Sequence, residues 1–298
     1  MTLVSTEERP TAATPPRRRP APARSGSTGK GQWLTYAALL VAVGLTLMPF
    51  LWMVLGSLKN QDEILRDPNG WLPHSPTPAN YLSWFGDFGI GTYFLNSVVV
   101  ALFTVAGNLL FCSMVGYALA KLRFPGKRAL FAVVMTTLMV PGVVTFIPLF
   151  VLVARMGLIN TFPGLILPFL VSPLGVFLMR QFIGTVPDAL LESARMDGAG
   201  EFRIFARIVL PLCGPPLATL GILTFLTSWN NFLWPLVVAQ NQDSYTLPVA
   251  LSLYSTSEHA TEYGLLLAGS VILISPIVLA FVLLQRLFTQ GVATTGIR

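Results

Sequence analysis

The chain has 298 residues, of which 53% are hydrophobic and only 11% are charged, and its formal net charge is +6. A soluble domain carries about 25% charged residues, so this composition excludes an ordinary soluble protein and favours one that spans a membrane. The basic excess does not indicate nucleic-acid binding, because Lys and Arg lie at the flanks of long apolar runs and in an N-terminal tail.

The N-terminal tail, residues 1–32, is dominated by Pro, Ala, Thr, Ser, Gly and Arg and shows no apolar periodicity. Such a segment cannot bury enough surface to offset the entropy lost on ordering, so we expect a disordered cytoplasmic tail. Gly29-Lys30 does not complete a phosphate-binding loop, because Arg24 stands where that motif needs glycine and Gly31 where it needs Ser or Thr. The chain therefore shows no ATP site of its own.

Six apolar segments reach the length of about 20 residues that a helix needs to cross the hydrocarbon core. They lie approximately at residues 34–58, 93–119, 129–153, 163–182, 212–239 and 263–285. The fourth segment is interrupted by Pro163, Pro168 and Pro173. We therefore predict an all-α membrane protein with six transmembrane helices.

The distribution of basic residues predicts the orientation. If the N-terminus lies in the cytoplasm, three of the 19 Lys and Arg residues fall in external segments: Lys59, Arg66 and Arg155. Cytoplasmic segments of membrane proteins carry the excess of Lys and Arg. Both termini are therefore predicted to be cytoplasmic. The segment between the fourth and fifth spans lies on the same side, where ATP is available.

This topology divides the chain into four segments. The tail (1–32) is followed by the first transmembrane helix with an external loop (33–92), a transmembrane core (93–287) and a cytoplasmic C-terminal tail (288–298). The external loop carries an aromatic group made up of Trp71, Tyr81, Trp84 and Tyr93. Two interpretations of this group remain open: an aromatic belt at the membrane interface, or a contact surface for an external partner.

The two histidines of the chain lie in predicted external segments. His74 has no second His or Cys nearby, so it does not indicate a metal site. His259 lies beside Glu258 and Glu262, a group that could respond to pH or bind a metal weakly. We predict neither a metal site nor a cofactor.

Residues 185–211, which we call the elbow, form a charged amphipathic element between two apolar segments. Thr185, Pro187 and Asp188 are typical of a helix start, with Thr185 as the cap. Gly198 can adopt a positive φ angle and end this first helix. The sequence therefore predicts a short helix that stops at a glycine turn.

A second helix of the elbow is predicted from about Gly200, and Pro211 closes it. Its apolar side is expected to consist of Phe202, Phe205, Ile208 and Val209. With Arg180 just before it, the elbow carries four basic and four acidic residues. Balanced charge is typical of docking into a protein groove, whereas a site for lipid headgroups would be basic throughout. A helix pair lying passively under the bilayer remains the alternative.

The elbow contains a set of residues at a distinctive spacing: Glu192, Ala194, Gly198, Ile208, Leu210 and Pro211. This spacing resembles the coupling loop of ABC-transporter permeases, where Glu-Ala-Ala is followed by Gly, then by Ile and Leu-Pro. Ser193 stands in place of the middle alanine, one small residue for another. Segments 116–128, 228–236, 245–248 and 263–298 look like the carbohydrate-uptake branch of that family. The closest group is the second permease of the maltose, trehalose or glycerol-3-phosphate importers.

The resemblance implies the type I ABC importer permease fold and a non-catalytic subunit of an ATP-driven, binding-protein-dependent sugar importer. Such a subunit forms half of the translocation pathway in the inner membrane of a prokaryotic cell, as a multi-pass protein in the lipid bilayer. Its implied partners are ATP-hydrolysing nucleotide-binding subunits, a second homologous permease, an extracellular or periplasmic sugar-binding protein and the sugar itself. No nucleic acid and no cofactor are implied.

In that family the elbow inserts into a cleft of the ATPase, and ATP-driven closure moves the spans between inward- and outward-open states. Carried over to this chain, the coupling residues are Glu192, Ser193, Ala194, Asp197, Gly198, Ile208, Leu210 and Pro211. Glu192 would face a basic residue of the ATPase, and Gly198 would form the turn.

The fifth predicted span carries candidates for a substrate pathway. Polar residues and a proline recur there at intervals of four, three and four, and so share one helix face: Thr224, Ser228, Asn231 and Pro235. Amides, hydroxyls and aromatic faces suit carbohydrates, although polar contacts between helices are the alternative. The candidates are Thr224, Ser228, Trp229, Asn230, Asn231, Asn108 and Ser172.

Two other classes of membrane protein lack support in the sequence. An ion-gradient-driven secondary carrier usually keeps a charged residue inside the membrane, and no acidic or basic residue lies deep within any predicted span. An intramembrane enzyme would need a catalytic motif, and neither His-Glu-x-x-His nor Gly-x-Ser-x-Gly occurs. The sequence therefore favours an energy source outside the membrane.

Overall fold

The computed structural model describes residues 29–256 and 262–293, and within these ranges the regular elements are helices, with no strand. Residues 1–28 of the predicted tail, His259 with Glu258, and residues 294–298 lie outside the described residues. The chain divides into two compact units, which meet in the sequence at Phe50 and Leu51.

The first unit contains most of helix α1, Gly29–Ser57, which begins within the segment predicted as tail. Residues Gln32–Ser57 have a mean hydropathy of 2.3, and none of their most apolar window is buried within the chain. A helix of this length that is apolar all round suits a lipid environment. The first predicted span is therefore confirmed.

Two further long helices confirm the second and sixth predicted spans: α4, Ile90–Lys121, and α15, Tyr263–Ala293. Two short helices, α2 (Gln61–Arg66) and α3 (Ala79–Gly86), precede α4. Helices α1 and α15 contain Pro49 and Pro276, whereas α4 contains no proline. Because α4 contains no proline, its backbone hydrogen bonds are uninterrupted and it has no proline kink.

The third predicted span is not one helix. It consists of α5, Lys127–Met139, and α6, Gly142–Arg155, which are bent by 106° relative to each other. Val140 at the break is extended, with φ −84° and ψ 119°. The residue before a proline is driven out of the α region, and Pro141 follows it. The third predicted span is therefore a bent pair of helices, and the break between them has a local cause.

The fourth predicted span is also bent, by 45°, between residues 162–169 and 173–184. Its parts are α7 (Phe162–Ile166) with a 3₁₀ turn, and α8 (Pro173–Gly184). Thr161 and Ser172 cap the two helices, each accepting a hydrogen bond from the backbone N–H three residues later. If each bent pair counts as one span, the described residues supply up to six spans, which is the predicted number, although one pair begins at Glu201 and ends at Trp229 instead of covering 212–239.

The fifth predicted span, 212–239, ends early as a helix. Helix α12, Gly214–Trp229, stops before Asn230, and a separate α13, Leu233–Val238, follows. The prediction of one continuous helix was therefore wrong. Pro235 has no N–H to donate to the carbonyl of Asn231 one turn earlier, so a continuous helix would lack a hydrogen bond at this break. The chain continues through α14, Leu247–Thr256, to α15.

Helix α4 packs against most of the core. Its Gly116 lets α8 approach closely, since a Cβ at that position would lie 2.8 Å from Met179 Cβ and 2.9 Å from the backbone N of Arg180. Three groups of buried side chains surround α4. One of them joins α4, α8 and the elbow: Cys112, Tyr117, Leu119, Val176, Met179, Ile183, Val186, Leu191, Ile204, Phe205, Val209, Cys213 and Leu220.

The aromatic residues of the predicted external loop are mostly internal. Trp84 is fully buried and donates a hydrogen bond to Leu265 O (2.7 Å), and Tyr93 is buried beside it. Tyr81 Oη lies 2.7 Å from Ser57 Oγ, whereas Trp71 is exposed. The interpretations as an interfacial belt or a partner surface are therefore wrong for Trp84 and Tyr93, which form part of the core.

Candidate functional site

The elbow has the predicted helix–glycine–helix form. Its first helix is α9, Asp188–Met196, and Gly198 follows with φ +79°. The second half consists of α10 (Glu201–Ile204), a π-helical turn (Phe205–Val209) and α11 (Leu210–Leu212). A positive φ favours glycine, so Gly198 reverses the chain between the halves as expected.

The predicted cap of the first helix is wrong. The hydroxyl of Thr185 donates to Phe182 O (2.7 Å) at the end of α8, and Pro187 takes the N-cap position without a side-chain bond. Asp188 instead accepts a hydrogen bond from Lys121 Nζ at 2.7 Å. Asp188 is therefore bound by Lys121, which is distant in the sequence, and the predicted cap by Thr185 does not form.

The apolar side of the elbow is partly as predicted. Phe205 and Val209 are buried and Ile208 is half-buried, but Phe202 is 72% exposed and the neighbouring Ile204 is fully buried. Phe202 lies in α10 before the π-helical turn, and in this helix Ile204 rather than Phe202 faces the core. The elbow therefore packs on the core through Ile204 and the π turn.

The predicted coupling residues lie mainly on the outer side of the elbow. Ala194, Ile208 and Leu210 are half-buried against the core. Five others are exposed: Glu192, Ser193, Asp197, Gly198 and Pro211. Beside them the apolar side chain of Met196 is 89% exposed.

Glu201 ties the second half of the elbow to α4. Its carboxylate accepts a hydrogen bond from Tyr117 Oη (2.5 Å), and Arg195 donates through Nε (2.7 Å) and Nη2 (3.3 Å). The hydrogen bonds from Arg195 and Tyr117 hold the pKa of Glu201 below its ordinary value. The Tyr117 ring is buried and contacts Phe205, with 5.5 Å between ring centroids.

Lys121 ties the first half of the elbow to the same helix. Its Nζ donates to Val186 O (2.6 Å), to Gly184 O (3.3 Å) and to Asp188 Oδ1 (2.7 Å). The Lys121 side chain is only 7% exposed. Its hydrogen bond and charge hold the pKa of Asp188 below the ordinary value. Tyr117 and Lys121 are one helical turn apart on α4, so both face the elbow.

A groove of about 720 Å³ lies between the end of α4 and the elbow. Its lining has charged side chains of both signs, including Arg123 from the loop after α4, Lys127 at the start of α5 and Glu192 from the elbow. Close by, the guanidinium of Arg180 lies 3.7 Å from the centroid of the Phe131 ring. This mixed charge agrees with the balanced charge read from the sequence.

A second site is a cavity of about 360 Å³ between α4, α6, the α7–α8 bend and α12. We call it the polar cavity because eight of its 16 lining residues carry hydroxyl or amide side chains, the others being apolar. Five of the seven predicted pathway residues line it: Asn108, Ser172, Thr224, Ser228 and Asn231. No charged side chain or histidine is among the described residues that line it. The cavity therefore offers hydroxyl and amide groups without a fixed charge.

Asn108 is a structural node in the wall of this cavity. Its Oδ1 accepts hydrogen bonds from Thr224 Oγ1 (3.3 Å), Ser172 Oγ (3.4 Å) and Cys112 Sγ (3.4 Å). Its Nδ2 donates to Phe169 O (3.2 Å). The side chain thus joins α4 to α12 and to the α7–α8 bend, and this favours the helix-contact interpretation for Asn108.

Two predicted pathway residues face elsewhere. Trp229 is 2% exposed, and its Nε1 donates to Leu273 O at 2.9 Å, toward α15. Asn230 is exposed and donates to Leu226 O at 2.9 Å. The cavity contacts neither side chain in this structure.

Several residues of both sites were missed from the sequence. In the cavity these are Thr104, Thr145 and Thr227. Thr104 is 2% exposed, and its Oγ1 has no hydrogen-bond partner among the described residues. Thr104 and Asn108, like Tyr117 and Lys121, are four residues apart on an apolar helix. This spacing of polar residues on an apolar helix was the sequence feature that could have identified these positions.

Up to six membrane-crossing segments, a charged elbow between two of them and an uncharged polar cavity define a membrane-transport subunit that works with a separate energy-supplying partner. Residues 112–294 match the family model "Binding-protein-dependent transport system inner membrane component". The chain belongs to this family of ABC-importer permeases. Membership decides against the secondary carrier and the intramembrane enzyme.

Relatives and a solved structure agree with this assignment. The arabinooligosaccharides transport system permease protein AraQ of Halalkalibacterium halodurans is 40% identical over 269 residues, covering 89% of this chain and 96% of that protein. The diacetylchitobiose uptake system permease protein NgcG of Streptomyces coelicolor is 34% identical over 263 residues, covering 87% of each.

The crystal structure of a bacterial ABC transporter involved in the import of the acidic polysaccharide alginate contains a similar chain. Its TM-score is 0.77 at 22% identity, with 89% of this chain and 99% of that one covered. The similarity confirms the predicted type I permease fold.

Proposed function

We propose that this chain is the permease of an importer for uncharged carbohydrates, and that the polar cavity is its part of the sugar pathway. The observation that carries the proposal is the cavity lining, which offers Ser228, Asn231 and threonine hydroxyls but no charged side chain among the described residues. Relatives named for arabinooligosaccharides, diacetylchitobiose and lactose, at 34–40% identity, support the substrate class, whereas two others at 32% identity are named for sulfoquinovosyl glycerol and sn-glycerol-3-phosphate.

Two polar groups at the cavity remain available for a ligand. The Ser228 hydroxyl has no side-chain hydrogen bond within the described residues, and Asn231 uses only its Oδ1, which accepts from Trp234 N at 3.4 Å. The Asn231 Nδ2 is therefore free to donate. Both side chains are half-buried at the cavity, so the Ser228 hydroxyl and the Asn231 amide can form hydrogen bonds with a sugar hydroxyl there.

The outer side of the elbow is the proposed docking surface for an ATP-hydrolysing subunit. Exposed carboxylates at Glu192 and Asp197 stand beside exposed apolar side chains at Met196 and Phe202. Charged groups around an apolar patch are typical of a surface that a partner covers. The coupling role implied by resemblance for Glu192, Ser193, Ala194, Asp197, Gly198, Ile208, Leu210 and Pro211 is part of this proposal.

The proposal includes the remaining subunits. A second homologous permease completes the pathway, and an extracellular or periplasmic sugar-binding protein delivers the sugar. The chain lies in the inner membrane of a prokaryotic cell with both termini in the cytoplasm. The balance of Lys and Arg along the chain supports this orientation.

The test measures uptake by the complete transporter in proteoliposomes. Arabino-oligosaccharides, diacetylchitobiose and lactose are compared with glycerol 3-phosphate as the charged ligand. The double variant Ser228→Ala/Asn231→Leu loses two hydrogen bonds of about 1 kcal/mol each, so uptake of the preferred sugar at low concentration should fall roughly 30-fold.

Thr219→Val is the matched control on the same helix, because Thr219 bonds only to Pro215 O within α12. It should transport at the wild-type rate. Preferential uptake of glycerol 3-phosphate, or normal sugar uptake by the double variant, would contradict the proposal.

A further inference from the structure

The elbow is joined to the rest of the core by covalent connections that are bent or irregular. On one side, residues 185–187 between α8 and α9 are not helical. On the other side, the run Glu201–Leu212 is bent by 82° relative to α12 at Cys213. A force on the elbow would therefore bend one of these connections before it displaced α8 or α12.

Helix α4 offers a straighter route. It is 32 residues long without an internal proline, so it extends over about 48 Å at 1.5 Å per residue. Thr104 and Asn108 line the polar cavity from its middle. At the end farther from the elbow, Asn96 Nδ2 donates to Asp243 O (2.7 Å) and to Tyr245 O (3.0 Å).

The elbow is held on α4 by polar contacts at two points one turn apart. Tyr117 binds Glu201 of the second half, and Arg195 shares the same carboxylate. Lys121 binds Asp188 of the first half, together with backbone carbonyls before it. Each half of the elbow therefore has its own attachment to the same helix.

We infer that α4 transmits the movement of the elbow to the cavity, and that Tyr117 and Lys121 are the positioning residues that fix the two halves of the elbow to it. The inference rests on the proposed function, since it assumes that the elbow receives force from an ATPase. With both attachments in place, a displacement of the elbow displaces the cavity wall at Thr104 and Asn108. Without them, the ATPase displaces the elbow without displacing α4.

The experiment uses the complete transporter in proteoliposomes and measures sugar molecules imported per ATP hydrolysed. Tyr117→Phe removes the hydroxyl that reaches Glu201 but keeps the ring that packs on Phe205. Lys121→Met removes the ammonium but keeps an unbranched chain. Tyr36→Phe makes the same chemical change as Tyr117→Phe at an exposed position of α1.

Tyr117→Phe and Lys121→Met should each lower the ratio of sugar to ATP by about tenfold. Assembly and ATP hydrolysis should persist. A purely structural role would instead lower transport and hydrolysis together and leave the ratio unchanged. Tyr36→Phe should keep the wild-type ratio.

Gly198→Trp separates failure of this inference from failure of the proposed function. Gly198 has a positive φ, so tryptophan there is strained and also covers the outer side of the elbow. If Gly198→Trp uncouples hydrolysis from transport while Tyr117→Phe and Lys121→Met keep the wild-type ratio, transmission through α4 is overturned and the docking role stands. If Gly198→Trp transports normally, the docking role itself is overturned.

Discussion

Replacing Asn108 distinguishes a structural node from a sugar contact. Asn108→Leu keeps the approximate size of the side chain but removes its hydrogen bonds to Phe169, Ser172 and Thr224 on neighbouring elements. Hydrogen bonds between helices in membranes average about 0.6 kcal/mol each, so the free energy of unfolding should fall by about 2 kcal/mol.

The loss can be measured by thermal unfolding of the purified protein in detergent. In a two-state approximation, about 2 kcal/mol corresponds to a decrease in Tm of roughly 4–8 °C for a chain of this size class. Thr219→Val, which removes a bond within one helix, should leave Tm within about 1 °C of the wild type. A second variant, Asn108→Asp, places a charge in the same site and should be destabilised further.

The structural reasoning is refuted if Asn108→Leu unfolds at the wild-type temperature while sugar transport is lost. That outcome would show that the Asn108 amide serves the ligand and that its contacts to the neighbouring elements contribute nothing. A lower Tm with residual transport, by contrast, is expected from a side chain whose Oδ1 already accepts three hydrogen bonds.

The remaining predictions concern the packing and titration of α4. Gly116→Leu should prevent a stable protein from accumulating in the membrane, because even a Cβ lies 2.8 Å from Met179 Cβ; wild-type yield and Tm would show that α4 and α8 are not so close. The lowered pKa values of Asp188 and Glu201 mean that the attachments of the elbow persist above the ordinary carboxylate range and weaken as pH falls through the lowered values. Hydrogen-exchange protection factors of residues 188–204 should therefore be constant from pH 8 to about pH 5 and decrease below about pH 4; a change between pH 6 and pH 7 would contradict the assignment.

Much of the architecture could be predicted because it follows from composition and local chemistry. The number of apolar segments, the glycine turn at Gly198 and the break before Pro141 all have local causes. Polar residues within apolar helices had to face a neighbour or a cavity, and five of the seven chosen do line the cavity.

The errors arose where a distant residue decided a local feature. Thr185 has the sequence of a helix cap, but Lys121 binds Asp188 from a position 67 residues earlier. Phe202 was expected on the buried side of the elbow, but Ile204 is buried there instead. Trp229 was expected beside the pathway, but it donates to Leu273 O in α15. The periodicity of a local segment does not show which distant residues will contact it.

The break after α12 is itself an argument for the pathway. Backbone that leaves its helix within an apolar segment is tolerated only where it is buried in protein or borders a water-filled cavity. Here the break borders the polar cavity through Asn231, whose N–H still turns back to Ser228 O (3.2 Å). Because of that turn, Ser228 and Asn231 reach the same cavity although no continuous helix joins them.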